Sequence, residues 1–262
     1  MDILNIIILS IIQGVTEFLP ISSSSHLILL PMFTEFPDQG IMFDVALHTG
    51  SLFAILIYYR NEIKNIFQFT DNGKSYTRLI IIGSIPLPIA GLLLIDLISL
   101  NLRSIEVISV MTITFALLLL YADNHNKPSK LITNISTKII LIIGLFQILA
   151  LVPGVSRSGI VITAALLLNY NRNDAIKIAF LLSIPAIFMA SSYNLLQLSS
   201  MGSLSILSNH LLGMTLSLIV SYLTIYFFIA TINKISFTPY IIYRMLSVSY
   251  THLTLPTKRG GL

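Results

Sequence analysis

The stretch from Gln13 to His26, Gln-Gly-Val-Thr-Glu-Phe-Leu-Pro-Ile-Ser-Ser-Ser-Ser-His, sets the tightest limit on what this chain can fold into. It lies between apolar runs at 3–12 and 27–30. Neither is long enough to cross a bilayer, which takes about 20 apolar residues in a helix. A carboxylate, an imidazole, a carboxamide and a run of hydroxyls nevertheless sit between them. Ionisable groups at membrane depth are costly and are read first as functional. Pro20 and the serine run also break a helix, freeing backbone groups that need partners. The pattern predicts a re-entrant hairpin: helix in, polar turn near mid-depth, helix out.

The hairpin reading requires a membrane, and composition supplies one. The chain is 55% hydrophobic and 10% charged, with mean hydropathy +0.88, against about 25% charge for an ordinary soluble domain. This is an all-α, multi-pass integral membrane protein, with the bilayer as its constant partner. The net charge of +4 reads as basic cytoplasmic loops, not nucleic-acid binding. Cysteine is absent, which excludes disulfides, thiolate metal sites and thiol catalysis. The Met-Asp start carries no basic residue before its apolar run, so a cleaved signal peptide is not expected.

Further apolar segments fall at 41–59, 79–100, 104–121, 135–152, 160–168, 175–198 and 204–233, and another begins at Pro239. Segment 160–168 is too short to span. Arg60, Lys64, Lys74 and Arg78 fall in one connection, Lys127, Lys130 and Lys138 in a second, and Arg172 and Lys177 in a third. By the positive-inside rule all three are cytoplasmic. Residues 139–169 must then go in and come back, turning at Pro153-Gly-Val-Ser-Arg157-Ser-Gly159. The 13–26 hairpin must approach from the opposite side. Each hairpin has a Gln in its leading helix (Gln13, Gln147), and Ser84-Ile-Pro86 is echoed by Ser183-Ile-Pro185. The expectation is about six transmembrane helices plus two re-entrant hairpins in an inverted repeat, with the site at the repeat interface. The match between the halves slips by one residue near the prolines.

Arg157 is the most informative residue, because its permanently charged planar fork suits phosphate oxygens. Gly154, Ser156 and Ser158 around it offer loop amides and hydroxyls for an anion. The alternative is that Arg157 only neutralises Glu17. Glu17 is a candidate metal ligand or base, or the partner of Arg157. His26 is a candidate nucleophile or acid–base group. Ser22, Ser23, Ser24 and Ser25 offer a nucleophile, phosphate donors or an N-cap. Asp44 and His48, one helical turn apart, read as polar lining of the entrance or as a mutual pair, ahead of a second metal or relay site. Asp96, Glu106 and Asp174 lie near segment ends, facing headgroups or loops. The set suits hydrolysis of a lipid phosphate ester or anhydride, though spacing alone equally allows transport of a phosphorylated lipid.

The segments 13–26 and 153–159 resemble the two signatures of the bacterial undecaprenyl-diphosphatase (bacitracin-resistance) family. Phe43-Asp44-Val-Ala-Leu-His-Thr-Gly50 and the Ser-Ile-Pro segments look similar to it too, and the likeness runs from about residue 5 to Arg244. The resemblance implies hydrolysis of undecaprenyl diphosphate to the monophosphate, recycling the carrier for cell-wall synthesis. It implies a divalent cation, Mg2+ or Ca2+, and a polyprenyl diphosphate substrate; a homodimer is an open expectation. Glu17 matches the family's essential glutamate, and Gln13 a position that takes Glu or Gln. His26 and Arg157 match its catalytic histidine and phosphate-binding arginine. Ser23 matches a proposed nucleophile. Ser25 departs from the usual small residue before the histidine. A flippase for a polyprenyl phosphate is the other reading carried forward.

The region 1–246 reads as one membrane domain. From 247 to 262 the family's apolar final helix gives way to Val248-Ser-Tyr-Thr-His-Leu-Thr-Leu-Pro-Thr257 and a basic, glycine-ended tail. This string resembles a library adapter read in frame, and the expectation is a truncation near Leu246. Recovery of the same tail from an independent genomic clone would overturn that expectation. No function is assigned to His252, Lys258 or Arg259.

Overall fold

The computed structural model describes residues 2–23, 25–27, 40–102, 104–198 and 204–254. Its helices are α1 (Ile3–Thr16), α2 (Ile41–Tyr58), α3 (Arg60–Phe67), α4 (Asp71–Ser84), α5 (Pro86–Asn101), α6 (Ile105–His125), α7 (Thr137–Ile148), α8 (Arg157–Leu167), α9 (Arg172–Leu198), α10 (Leu204–Ile235) and α11 (Thr238–Thr254). No strand occurs among the described residues. Four stretches are long and apolar enough to cross a membrane: Asp71–Leu94, Ile105–His125, Arg172–Ser192 and Ser208–Ile235. The pair α2–α3, bent by 72°, supplies a fifth. The 17-residue α11 follows and continues past Leu246 to Thr254, while 255–262 lie outside the described residues. The count by length is thus four to five spans among the described residues, with α11 just short of spanning length.

The span expected at 79–100 begins earlier, at Asp71. Thr70 caps it by accepting from the Gly73 N–H at 3.0 Å, so the polar first turns of α4 are helical before the apolar part begins. The second hairpin has the expected form, and the first has it over its described residues, which end at Leu27. Helix α1 is 14 residues and is followed by a turn over 17–21, with helix resuming at Ser23. Helices α7 and α8, 12 and 11 residues, flank a short 3-10 segment (Leu149–Leu151) and a turn. None of these legs can span alone.

The packing is exchanged between the two halves. Helix α1 packs on α10, whereas α7 packs on α4 and α5; α2 packs on α10 and α9 on α4; α2 and α9 meet each other. Each leading helix therefore lies against the second full span of the other half, as an inverted repeat demands. Close crossings depend on small residues: a Cβ on Gly144 of α7 would sit 2.5 Å from the Gly83 carbonyl oxygen of α4.

The basic connections converge on one face. Lys177 pairs with Glu62 at 2.6 Å, Arg172 grips Asp123 at 2.7 and 3.0 Å, and the Ser75 hydroxyl donates to the Thr133 carbonyl at 2.8 Å. Three segments assigned to one side by their charge thus meet on one side, as the positive-inside rule requires. Asp174, expected to meet a headgroup or loop, meets a loop: it accepts from the Ile132 N–H at 3.3 Å and from Asn171 Nδ2 at 3.1 Å, while Asn171 Oδ1 caps the helix by accepting from the Asp174 N–H at 2.9 Å.

Candidate active site

The two turns meet inside the bundle, and their backbone determines how. Ser22 and Ser156 each lie nine residues after their glutamine, Gln13 and Gln147. Both adopt left-handed backbone, φ 72° and 69°, a conformation that is uncommon outside glycine. This shared kink gives the repeat its register; the prolines, Pro20 and Pro153, are one residue out of step with it. Ser156 then caps α8, its hydroxyl accepting from the Gly159 N–H at 3.2 Å.

A turn inside a membrane leaves carbonyls that water cannot reach, and each needs a donor. The Leu19 carbonyl accepts from the Ser158 hydroxyl at 3.1 Å, and the Ser22 carbonyl from His26 Nδ1 at 2.7 Å. Arg244 of α11, 1% exposed, serves three others. Its Nη2 donates to the Gly154 and Val155 carbonyls at 2.8 and 3.3 Å, and its Nη1 to the Pro20 carbonyl at 3.4 Å. One buried guanidinium therefore ties the first turn to the second.

Between the turns lies a cavity of about 190 Å³ lined by Glu17, Ser22, Ser23, His48, Ser156, Arg157 and Ser158, with apolar walls from Ala150, Val152, Ala186, Ile187 and Ala190. Glu17 is its centre. Arg157 Nη2 donates to Glu17 Oε1, joining the two hairpins as an ion pair. Glu17 Oε2 accepts from Ser23 Oγ at 2.6 Å and from Gln13 Nε2 at 3.0 Å, and His48 Nδ1 lies 3.2 Å away. The Glu17 side chain is 2% exposed and that of Arg157 22%, so the carboxylate is closed off while the guanidinium faces the cavity. Ser22 meets Ser25 at 3.0 Å, and Ser156 meets Ser158 at 3.3 Å.

Most of the residues singled out by sequence are thus brought together. Gln13 stands behind Glu17, wholly buried. Gly154 is not at the cavity wall: at φ 95°, a Cβ there would sit 2.4 Å from the Ile108 carbonyl oxygen, so the glycine serves close approach to α6. Ser24 lies outside the described residues. His26 is absent from the described cavity lining. Its Nδ1 must donate, because its partner is the Ser22 carbonyl, and Nε2 then accepts from the Tyr243 hydroxyl at 2.6 Å. Its ring also stacks on Tyr243 at 5.6 Å. The imidazole at the carboxylate is His48, which the sequence reading placed at the entrance or against Asp44. Arg244 was read only as the end of the family likeness. The rule that singled out Arg157, a cation within an apolar segment, applied to it equally.

No group of three or more His, Cys, Asp or Glu side chains is gathered to hold a metal ion among the described residues. The Glu17 carboxylate and the Ser23 hydroxyl nonetheless bring hard oxygens to the cavity, beside nitrogens of Arg157, Gln13 and His48. Ser23 Oγ touches the carboxylate, and Gln13 Oε1 is buried without a hydrogen-bond partner. A magnesium-type cation takes one or two carboxylates and fills its remaining positions with water and substrate phosphate. The site fits a cation shared with a phosphate ligand, not one held in an all-protein cage.

Fold and site together define a multi-pass integral membrane protein with an ion-paired, hydroxyl-rich cavity between two re-entrant turns. The family model described as "Bacitracin resistance protein BacA" matches residues 6–249, and the chain belongs to that family. It is 46% identical to "Undecaprenyl-diphosphatase 1" of Pseudoalteromonas translucida, over 94% of this chain and 96% of that protein. It is 43% identical to "Undecaprenyl-diphosphatase" of Saccharophagus degradans, with the same coverage, and 46% identical to that of Pelagibacter ubique, over 94% of each.

Proposed function

We propose that this protein hydrolyses undecaprenyl diphosphate to undecaprenyl phosphate and inorganic phosphate, recycling the lipid carrier for peptidoglycan synthesis and conferring bacitracin resistance. The names of its relatives support the substrate. The observation that carries the chemistry is the Glu17 carboxylate, held between a serine hydroxyl on one oxygen and a guanidinium on the other. Ser23 Oγ attacks the terminal phosphorus while its proton passes to Glu17 Oε2, and the bond from that phosphorus to the bridging oxygen breaks. Undecaprenyl phosphate leaves with the electron pair, and the phosphoryl group stays on Ser23. Water then attacks the phosphorus, Glu17 returns its proton to Ser23 Oγ, and phosphate departs as H2PO4−.

Arg157 counters charge on the phosphoryl oxygens, a role worth about 10²-fold or more for a preorganised donor. Ser22, Ser156 and Ser158 add hydroxyls at the cavity wall. His26, engaged at both nitrogens, is assigned to shaping the turn that presents Ser23, and Ser23 is preferred to it as nucleophile. A divalent cation, Mg2+ or Ca2+, would be held by Glu17, with Ser23 Oγ beside it. When bound it would polarise the phosphate.

Phosphate release from a long-chain prenyl diphosphate by purified protein in detergent tests the reading. Glu17→Ala and Arg157→Ala are each expected to lose at least about 10²-fold. The exchanged helix packing favours one other reading, a flippase for a polyprenyl phosphate. Binding of the lipid by folded wild type without phosphate release would turn the assignment to transport. A homodimer is proposed as well, and native mass spectrometry from detergent decides it.

A further inference from the structure

His48 carries an inference that rests on the proposed phosphatase reading and deepens it. Glu17 Oε2 can only accept, so the Gln13 atom 3.0 Å from it must be the N–H-bearing Nε2. That same Nε2 lies 2.7 Å from His48 Nδ1. A protonated Nδ1 would set one N–H against another there. The 3.2 Å approach of Nδ1 to Glu17 Oε2 therefore does not make an ion pair; Nδ1 is an acceptor, and the ring proton is on Nε2. Ser51 Oγ, 3.5 Å from Gln13 Nε2, is itself tied to Ser217 and Ser221 at 3.2 and 2.9 Å. That wholly buried hydroxyl network, set between α1, α2 and α10, supports the amide from behind.

With Nδ1 turned in toward Gln13 and Glu17, the nitrogen left for the cavity that His48 lines is Nε2. The side chain is 28% exposed, against 2% for Glu17. We propose that His48 is a substrate-binding residue that donates its Nε2–H to an oxygen of the diphosphate. Gln13 acts through His48 as the positioning residue that selects the tautomer.

The tautomer is read directly from the full chain in detergent, labelled with 15N-histidine, by long-range 1H–15N correlation. The His48 signal is assigned by its loss in His48→Gln. Expected are an unprotonated Nδ1, a protonated Nε2, and a shift of the Nε2 proton on adding an uncleavable prenyl methylenediphosphonate. In turnover, His48→Gln keeps an amide donor at similar reach and loses less kcat/KM than His48→Leu. His48→Leu loses about 10- to 100-fold in kcat/KM, as for one hydrogen bond to a charged group. An Nδ1-protonated or doubly protonated ring overturns the proposal, as does equal loss in both variants or no loss in His48→Leu. These outcomes are separable from failure of the phosphatase reading, in which wild type itself releases no phosphate and the tautomer is still measured.

Discussion

Arg244→Met tests whether the two turns are held together by one side chain. The substitution keeps length and apolar bulk and removes the donors to the Pro20, Gly154 and Val155 carbonyls. Gly154 retains the Thr112 hydroxyl at 3.3 Å, so the Pro20 and Val155 carbonyls bear the loss. A buried acceptor left unpaired costs about 1–3 kcal/mol, roughly 2–6 kcal/mol for two. Removing a buried cation whose Nε has no partner returns about 1–2 kcal/mol of desolvation. Mid-range values, about 4 less about 1.5, leave a net loss of about 2.5 kcal/mol, which at about 2–4 °C per kcal/mol for a chain of this size lowers Tm by roughly 5–10 °C. Far-ultraviolet circular dichroism during heating in detergent measures it. Phosphate release is expected to fall further, by about 10²-fold, because loosening the turns misplaces Ser23 relative to Arg157 by a fraction of an ångström or more. A Tm within about 2 °C of wild type, with release within about threefold, would refute the idea that Arg244 couples the turns.

Gly154→Ala is expected to impair folding itself. The new methyl would sit 2.4 Å from the Ile108 carbonyl oxygen on a residue at φ 95°, and a loss of about 3 kcal/mol or more should show as poor recovery of folded protein from the membrane. Chelation of divalent cations should abolish phosphate release and leave the helical circular-dichroism signal intact. A cation shared with the substrate through Glu17 contributes to turnover and not to the fold, so helix loss on chelation would point to a structural metal elsewhere.

Membrane residence, the short legs of both hairpins and the facing of basic connections to one side were all legible in the sequence, because each follows from local rules. Apolar run length against bilayer thickness decides whether a leg can span, and loop charge decides which side it returns to. Glu17, Ser23 and Arg157 were legible for the same reason: polar groups in segments this apolar stand out by cost. The spans themselves were misjudged mainly at their ends. At Asp71 a polar first turn, capped by Thr70, is helical without being apolar.

Tertiary structure decided everything that depends on which side chain meets which. His26 and His48 differ little as sequence signals. Only the docking of α1 on α2 and α10 sets His48 against Gln13 and Glu17, and only α11 brings Tyr243 to His26. Arg244 lies 90 residues from Gly154 and 224 from Pro20, separations across which no local period operates. The sequence alone determined the solvent, the hairpins and the chemical inventory of the site, because these are set by the transfer cost of each residue and by chain length. The partners of each group were decided by the exchanged packing of the two halves, because a buried carbonyl or carboxylate takes whichever donor the fold delivers within about 3 Å.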